Sequence, residues 1–375
     1  MKIMENNILL TDRQTDRQTD RQTDRQTDRQ TDRQTSYDWL RVVLVILVVI
    51  GHATYLDIKT PFGSIYYATL MQEKGVDTSW FYKLANALTG FIYSFHMPIF
   101  IALSGCLFAL KRYDLRSLVS KKFKRLLIPF FVVWLAWNLP IKYFTGYYDN
   151  VSVSGMLLQM IFPSCVYLWY LECLFFVFLL AQFITRFKTT VQLVLIACCW
   201  LVGVALYKKF SDYHFLGDPV YYVVWFYLGY REKDVIALCK KFKLWNTATA
   251  LVLPLLLLCI FCIGHMIEIK GLSTLLNFIL GPLFMFVSLS YFSRLFTKHS
   301  SKYLKTCSDY GLGVYLYAEP INYLLLYIFF ENCGITFFGE ESGAATIYFS
   351  RIIVSTFIAI VITYLLRKFN IKYLH

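Results

Sequence analysis

The sequence predicts an all-α integral membrane protein of about ten transmembrane helices, with both termini in the cytoplasm. Three observations carry that prediction. Hydrophobic residues make up 57% of the 375 residues and charged residues only 16%, whereas a soluble globular domain carries about 25% charged residues. Apolar stretches of roughly 20 residues, long enough to cross a bilayer as helices, recur along the chain. Basic residues alternate between the loops that join them.

The chain divides at residue 36. Residues 11–34 are six copies of Thr-Asp-Arg-Gln, with no apolar side chain to bury and one charge of each sign per tetrad. Residues 1–36 therefore read as a disordered tail, and residues 37–375 as one multi-pass membrane domain. The tetrad can be encoded as ACA GAC AGA CAG, a four-base unit repeated three times. Such a tract is prone to strand slippage, and the gain or loss of one unit would shift the frame of everything downstream.

The predicted spans fall near 39–57, 88–110, 126–145, 164–184, 190–207, 217–230, 246–264, 272–293, 309–329 and 346–366. The sixth is short, and the third and ninth contain Pro140 and Pro320. With the N-terminus inside, 21 Lys and Arg residues lie in the inner loops and C-terminal tail. Only Lys59, Lys74, Lys83, Lys142, Lys208, Lys209 and Lys270 lie outside. That asymmetry is the positive-inside pattern. It explains the net charge of +13 without nucleic acid; the partner it requires is the lipid bilayer. No cleavable signal is visible. The ten cysteines lie mostly in apolar spans, and the pair Cys259 and Cys262 has no second pair to complete a metal site. No metal is expected.

In so apolar a chain the informative residues are polar ones at bilayer depth. Arg41 and His52 in "YDWLRVVLVILVVIGH" are eleven residues apart, roughly 20° in azimuth and about 16 Å along a helix. Asp38 shares that stripe and can pair with Arg41. One face thus carries an ion pair near the cytoplasmic end and an imidazole further out. Neutral imidazole can accept a proton from a hydroxyl. The plainer alternative is a snorkelling arginine and a packing histidine. The second span, "FHMPIFIALSG", is interrupted at His96, Pro98, Ser104 and Gly105, and "KKFKRLLIP" places Lys122 and Arg125 ahead of Pro129. A spaced basic pair at a helix start suits a phosphate.

In this order these segments resemble the acyltransferase-3 family of bacterial membrane O-acyltransferases, in its stand-alone form. Later stretches are similar too: "YLWYLECLFF" at 167–176, "VYYVVWFYLGY" at 220–230 and "YGLGVYLYAEPI" at 310–321. The resemblance covers about residues 37–366. It implies a protein of the bacterial inner membrane that transfers an acyl group, commonly acetyl from cytosolic acetyl-CoA, to a hydroxyl of a surface glycan of lipopolysaccharide or capsule type. The family's required arginine and histidine correspond to Arg41 and His52. Its basic pair corresponds to Lys122 and Arg125, with lysine in place of the usual first arginine. Ala318 stands where the family often has histidine, beside Glu319.

The resulting assignment is His52, Arg41 and Asp38 as catalytic residues, and Arg41, Lys122 and Arg125 as the CoA-binding set. His96, Ser104 and Glu172 line the substrate cavity, and Arg351 touches the acceptor. His52 serves either as general base or as transient acyl carrier. No permanently bound cofactor is implied; acyl-CoA is a substrate. The competing reading is an exporter of a polysaccharide or lipid-linked sugar using the same polar stripe as its path. A slippery tract ahead of such an enzyme would switch it on and off. Sequencing the tract from many sister colonies should reveal lengths that differ by whole four-base units; one fixed length or mixed synonymous codons would refute slippage.

Overall fold

The computed structural model describes residues 35–54, 57–60, 63–66, 72, 75, 77–111, 113–161, 167–209, 217–267, 275–296, 302–332 and 340–374. The tetrad repeat lies outside the described residues. Helix α1 (Thr35–His52) is followed by a short antiparallel hairpin, β1 (Asp57–Thr60) and β2 (Gly63–Tyr66), with Asp57 opposite Tyr66 and Thr60 opposite Gly63. The rest is helical. The helices are α2 (Trp80–Tyr93), α3 (His96–Phe108), α4 (Leu115–Phe144), α5 (Val153–Ile161), α6 (Trp169–Ile184) and α7 (Thr189–Lys209). After them come α8 (Asp218–Tyr230), α9 (Glu232–Lys241), α10 (Thr247–Ile267), α11 (Gly281–Phe296), α12 (Lys302–Tyr327) and α13 (Glu340–Lys368).

Among the described residues, seven helical segments are long and apolar enough to cross a membrane. The other three predicted spans fall on the shorter helices α6, α8 and α11. Two boundaries differ from expectation. Helix α1 stops at His52 instead of continuing to 57. The second span is two helices, broken at Ser94 and Phe95, just ahead of His96. Pro98 therefore sits in the first turn of α3, where no intrahelical donor is needed.

Prolines further inside helices would leave carbonyls unpaired, and the chain compensates each in one of two ways. Pro129, Pro140 and Pro282 each follow two residues after a π-helical turn, at Phe123–Leu127, Trp134–Asn138 and Leu276–Leu280. The carbonyl four residues before each proline falls inside that widened turn, which gives the pyrrolidine ring room. Pro254 and Pro320 lie in regular helix, and there other helices supply the donor. Ser288 Oγ donates to the Ala250 carbonyl at 2.7 Å, four residues before Pro254. Tyr167 OH donates to the Leu316 carbonyl, four before Pro320, and Trp137 Nε1 to the next carbonyl, Tyr317, at 3.3 Å.

Helices α3 and α8 form the centre of the bundle. A Cβ at Gly105 would lie 2.0 Å from the Phe226 carbonyl oxygen, and one at Gly229 would lie 1.8 Å from that of Ala102. The two backbones touch through reciprocal glycines, the close approach that small residues allow in membranes. Phe108, Phe178 and Phe226 pack around this contact with centroids 5.1–5.9 Å apart. Helix α10 is peripheral: 11% of its most apolar window is buried, against 67% for α2–α3. Near its start, α1 is pinned by Glu232, which accepts from Tyr37 OH at 2.7 Å and pairs with Arg294 at 2.6 Å.

Replacing Gly229 with leucine should abolish the monodisperse folded protein after detergent extraction. Size-exclusion chromatography of the tagged variant checks this; a normal peak would mean the contact is dispensable.

Candidate functional site

Helix α1 delivers three of the residues singled out by sequence. Asp38 and Arg41 lie one turn apart, and Arg41 Nη1 reaches Asp38 Oδ1 at 3.3 Å. A third member comes from α12: Arg41 Nη1 donates to Ser308 Oγ at 2.7 Å, and that hydroxyl donates to Asp38 Oδ1 at 2.7 Å. Ser308 is 2% exposed. Its hydroxyl accepts from the cation and donates to the carboxylate, which fixes the guanidinium against α12 and leaves its other nitrogens directed elsewhere. Nothing in the sequence marks Ser308, because its partners are 267 and 270 residues away.

Arg41 opens onto a cavity of about 410 Å³, within the range typical of small-molecule sites. Lys111, Lys122, Arg125 and Lys305 also line it, against the carboxylates of Asp38 and Asp309. Arg125 sits in the π turn ahead of Pro129 and is close enough to Arg41 for their charges to repel. Lys122 Nζ rests 3.5 Å from the centre of the Phe178 ring, a cation–π contact. The remaining walls are apolar, from residues such as Val45, Phe100 and Leu174. Five cations around an apolar-walled cavity have the chemistry to attract a polyanion with a hydrophobic or neutral extension. Ser104 lines the same cavity, bonding to the Phe100 carbonyl at 3.2 Å and lying 3.4 Å from Tyr170 OH.

His52 does not share that cavity. It lines a separate niche of about 10 Å³ with Tyr167, Val314, Ala318, Glu319 and Asn322. Such a volume holds about one water-sized group. Glu319 Oε2 and Asn322 Oδ1 are shut off from solvent there with no hydrogen-bond partner. Val48 and Tyr315 line both spaces, so the two are neighbours across one thin wall. The end of α1 is held by Arg351, which is 1% exposed and donates to the Ala53 carbonyl at 2.7 Å and the His52 carbonyl at 3.1 Å. The expected acceptor contact at Arg351 thus gives way to a backbone clamp that sets where His52 stands.

His96 and Glu172 line neither space. His96 is 4% exposed, stacks on Tyr93 at 4.8 Å and places Nδ1 3.0 Å from the Ile92 carbonyl. A carbonyl only accepts, so that nitrogen carries the proton and ties the break between α2 and α3. Glu172 interacts electrostatically with Asp218 on α8. Lys142, expected in an outer loop, is instead 1% exposed, with Nζ 4.1 Å from the Tyr147 ring centre. Three residues were missed by sequence reasoning: Ser308, Asn322 and the buried Lys142. Of the niche, the sequence had marked His52, Ala318 and Glu319.

A family model described as an acyltransferase domain, that of acyltransferase-3, matches residues 34–368. No curated protein and no solved structure matches the chain.

Removing the Ser308 hydroxyl with Ser308→Ala should loosen Arg41 without removing its charge. The KM for the anionic ligand is expected to rise about tenfold, in keeping with roughly 1–2 kcal/mol for a hydrogen bond to a charged group, with kcat little changed. Steady-state kinetics in native membranes checks the split; an unchanged KM would detach Ser308 from the site.

Proposed function

The chain belongs to the acyltransferase-3 family, and on that premise we propose that it is an O-acyltransferase of the bacterial inner membrane. It moves an acyl group, acetyl in the simplest case, from cytosolic acyl-CoA to a hydroxyl of a surface glycan. In this reading the chain crosses the membrane ten times, and both termini are cytosolic. One observation supports it above the rest: a cavity ringed by Arg41, Lys111, Lys122, Arg125 and Lys305 adjoins, across Val48 and Tyr315, the niche that holds His52. The cations suit the phosphates of CoA, and the apolar walls suit its acyl-carrying arm.

The chemistry assigned to the chain is then as follows. Asp38 and Ser308 orient Arg41, and Arg41 with Lys122 and Arg125 holds the donor phosphates. His52 takes the proton of the acceptor hydroxyl as its oxygen forms the new C–O bond with the thioester carbon. The C–S bond breaks, and the proton passes to the departing thiolate. Arg351 positions His52 through the backbone. The tetrad tract has no part in the chemistry and acts through reading frame, as a phase-variable switch.

The test is mass spectrometry of surface glycans from cells with the gene intact, deleted, or carrying His52→Ala. Both altered strains should lose one acyl mass per modified sugar while glycan quantity stays constant. Disappearance of the glycan without a mass change would instead establish export.

A further inference from the structure

Val48 of α1 and Tyr315 of α12 line both the cation-lined cavity and the His52 niche, and so stand where the two spaces adjoin. Tyr315 is held in place from several directions. Its hydroxyl donates to the Tyr167 carbonyl at 2.8 Å, and Tyr167 OH donates back to the carbonyl of Leu316, the next residue of α12. Its ring meets Tyr170 edge-on, with centroids 5.8 Å apart and planes at 74°, and lies 6.2 Å from the Tyr167 ring. The reciprocal pair of hydrogen bonds holds the ring, because swinging it aside breaks the bond to the Tyr167 carbonyl. Val48 is 7% exposed and β-branched, hence stiff at χ1.

Beyond these two residues the free volume is about 10 Å³, room for one group the size of water, a methyl or a carbonyl oxygen. A donor that delivers its carbonyl carbon to His52 must place the rest of its acyl chain somewhere along this neck. The niche has room for the one methyl of an acetyl group; further carbons would meet the Tyr315 ring or the Val48 methyls. We propose that Tyr315 and Val48 are the specificity-determining residues that restrict the transferred group to acetyl, by closing the space beside His52 to longer acyl chains. This rests on the acyl-transfer reading above. The anchored ring distinguishes it from a flexible filler, which would move aside for a longer substrate.

The test uses membranes from cells expressing the full chain, supplied with radiolabelled acetyl-CoA, butyryl-CoA or hexanoyl-CoA, with label counted in the extracted glycan. Wild type should favour acetyl over butyryl in kcat/KM by at least about tenfold, the discrimination expected for extra methylenes that a pocket excludes. Tyr315→Ala should shift the butyryl-to-acetyl ratio at least about tenfold towards butyryl. Val48→Ala, a milder change on the opposite side, should shift it in the same direction and covers the case that the tyrosine variant fails to fold. Tyr315→Phe keeps the ring but removes the hydroxyl that anchors it to the Tyr167 carbonyl, and should shift the ratio in the same direction by less than Tyr315→Ala. A merely structural role lowers all donors together and leaves the ratio unmoved; that outcome, or a wild type that takes butyryl as readily as acetyl, overturns the proposal. Absence of label from every donor with wild type would overturn the acyl-transfer reading itself.

Discussion

A backbone carbonyl that loses its N–H partner inside hydrocarbon has no water to accept from, and leaving it bare costs several kcal/mol. The structure depends on meeting that constraint wherever a helix is interrupted. It widens to π geometry ahead of Pro129, Pro140 and Pro282. It lends side-chain donors from other helices to the carbonyls upstream of Pro254 and Pro320. At the end of α1 it brings Arg351 to the last two carbonyls. These repairs lie around the candidate site as well as in the scaffold. Arg125 sits in the first π turn, Tyr167 both repairs the Pro320 carbonyl and lines the niche, and the Arg351 clamp fixes the residue that carries the imidazole.

The same constraint explains the division of the interior. Irregular backbone in a membrane is tolerated only where protein or a cavity covers it. The first π turn gives Arg125 and Leu126 to the cavity, and Glu319, next to the proline of α12, lines the niche. The polar machinery is concentrated there for the same reason: each buried donor or acceptor needs a partner nearby, and partners are cheapest to supply where one already stands. Glu319 Oε2 and Asn322 Oδ1, on two residues that line the niche, have no hydrogen-bond partner.

How much of this was legible in the sequence follows from the range of each interaction. The Asp38–Arg41 pair is a one-turn relation on a single helix, so spacing alone gives it. Each helical span has a local signal in its apolar run, and the prolines mark where helices must yield, although proline alone does not say whether relief comes from a π turn or from a borrowed donor. Ser308 and Lys142 were different, and so was the part Arg351 plays. Their surroundings are assembled from residues far along the chain, so a serine and a lysine look ordinary until the helices pack, and an arginine read as an acceptor contact is seen to clamp backbone carbonyls. His96 and Glu172 show the converse: His96 is spent on the Ile92 carbonyl, and Glu172 stands near the Asp218 carboxylate, and neither lines the two spaces.

The clamp on α1 also sets an order of events during synthesis. Helix α1 is made before the residues that hold it: Ser308 follows Arg41 by 267 residues, and Arg351 follows Ala53 by 298. At about ten residues per second, the donor to its final carbonyls arrives roughly half a minute later. Until then the arginine of α1 waits beside the insertion machinery with its carboxylate as its one companion from the same helix. A nascent chain halted before α13 therefore holds every residue of the cation-lined cavity but lacks the Arg351 clamp on the histidine. A late segment thus completes an early one.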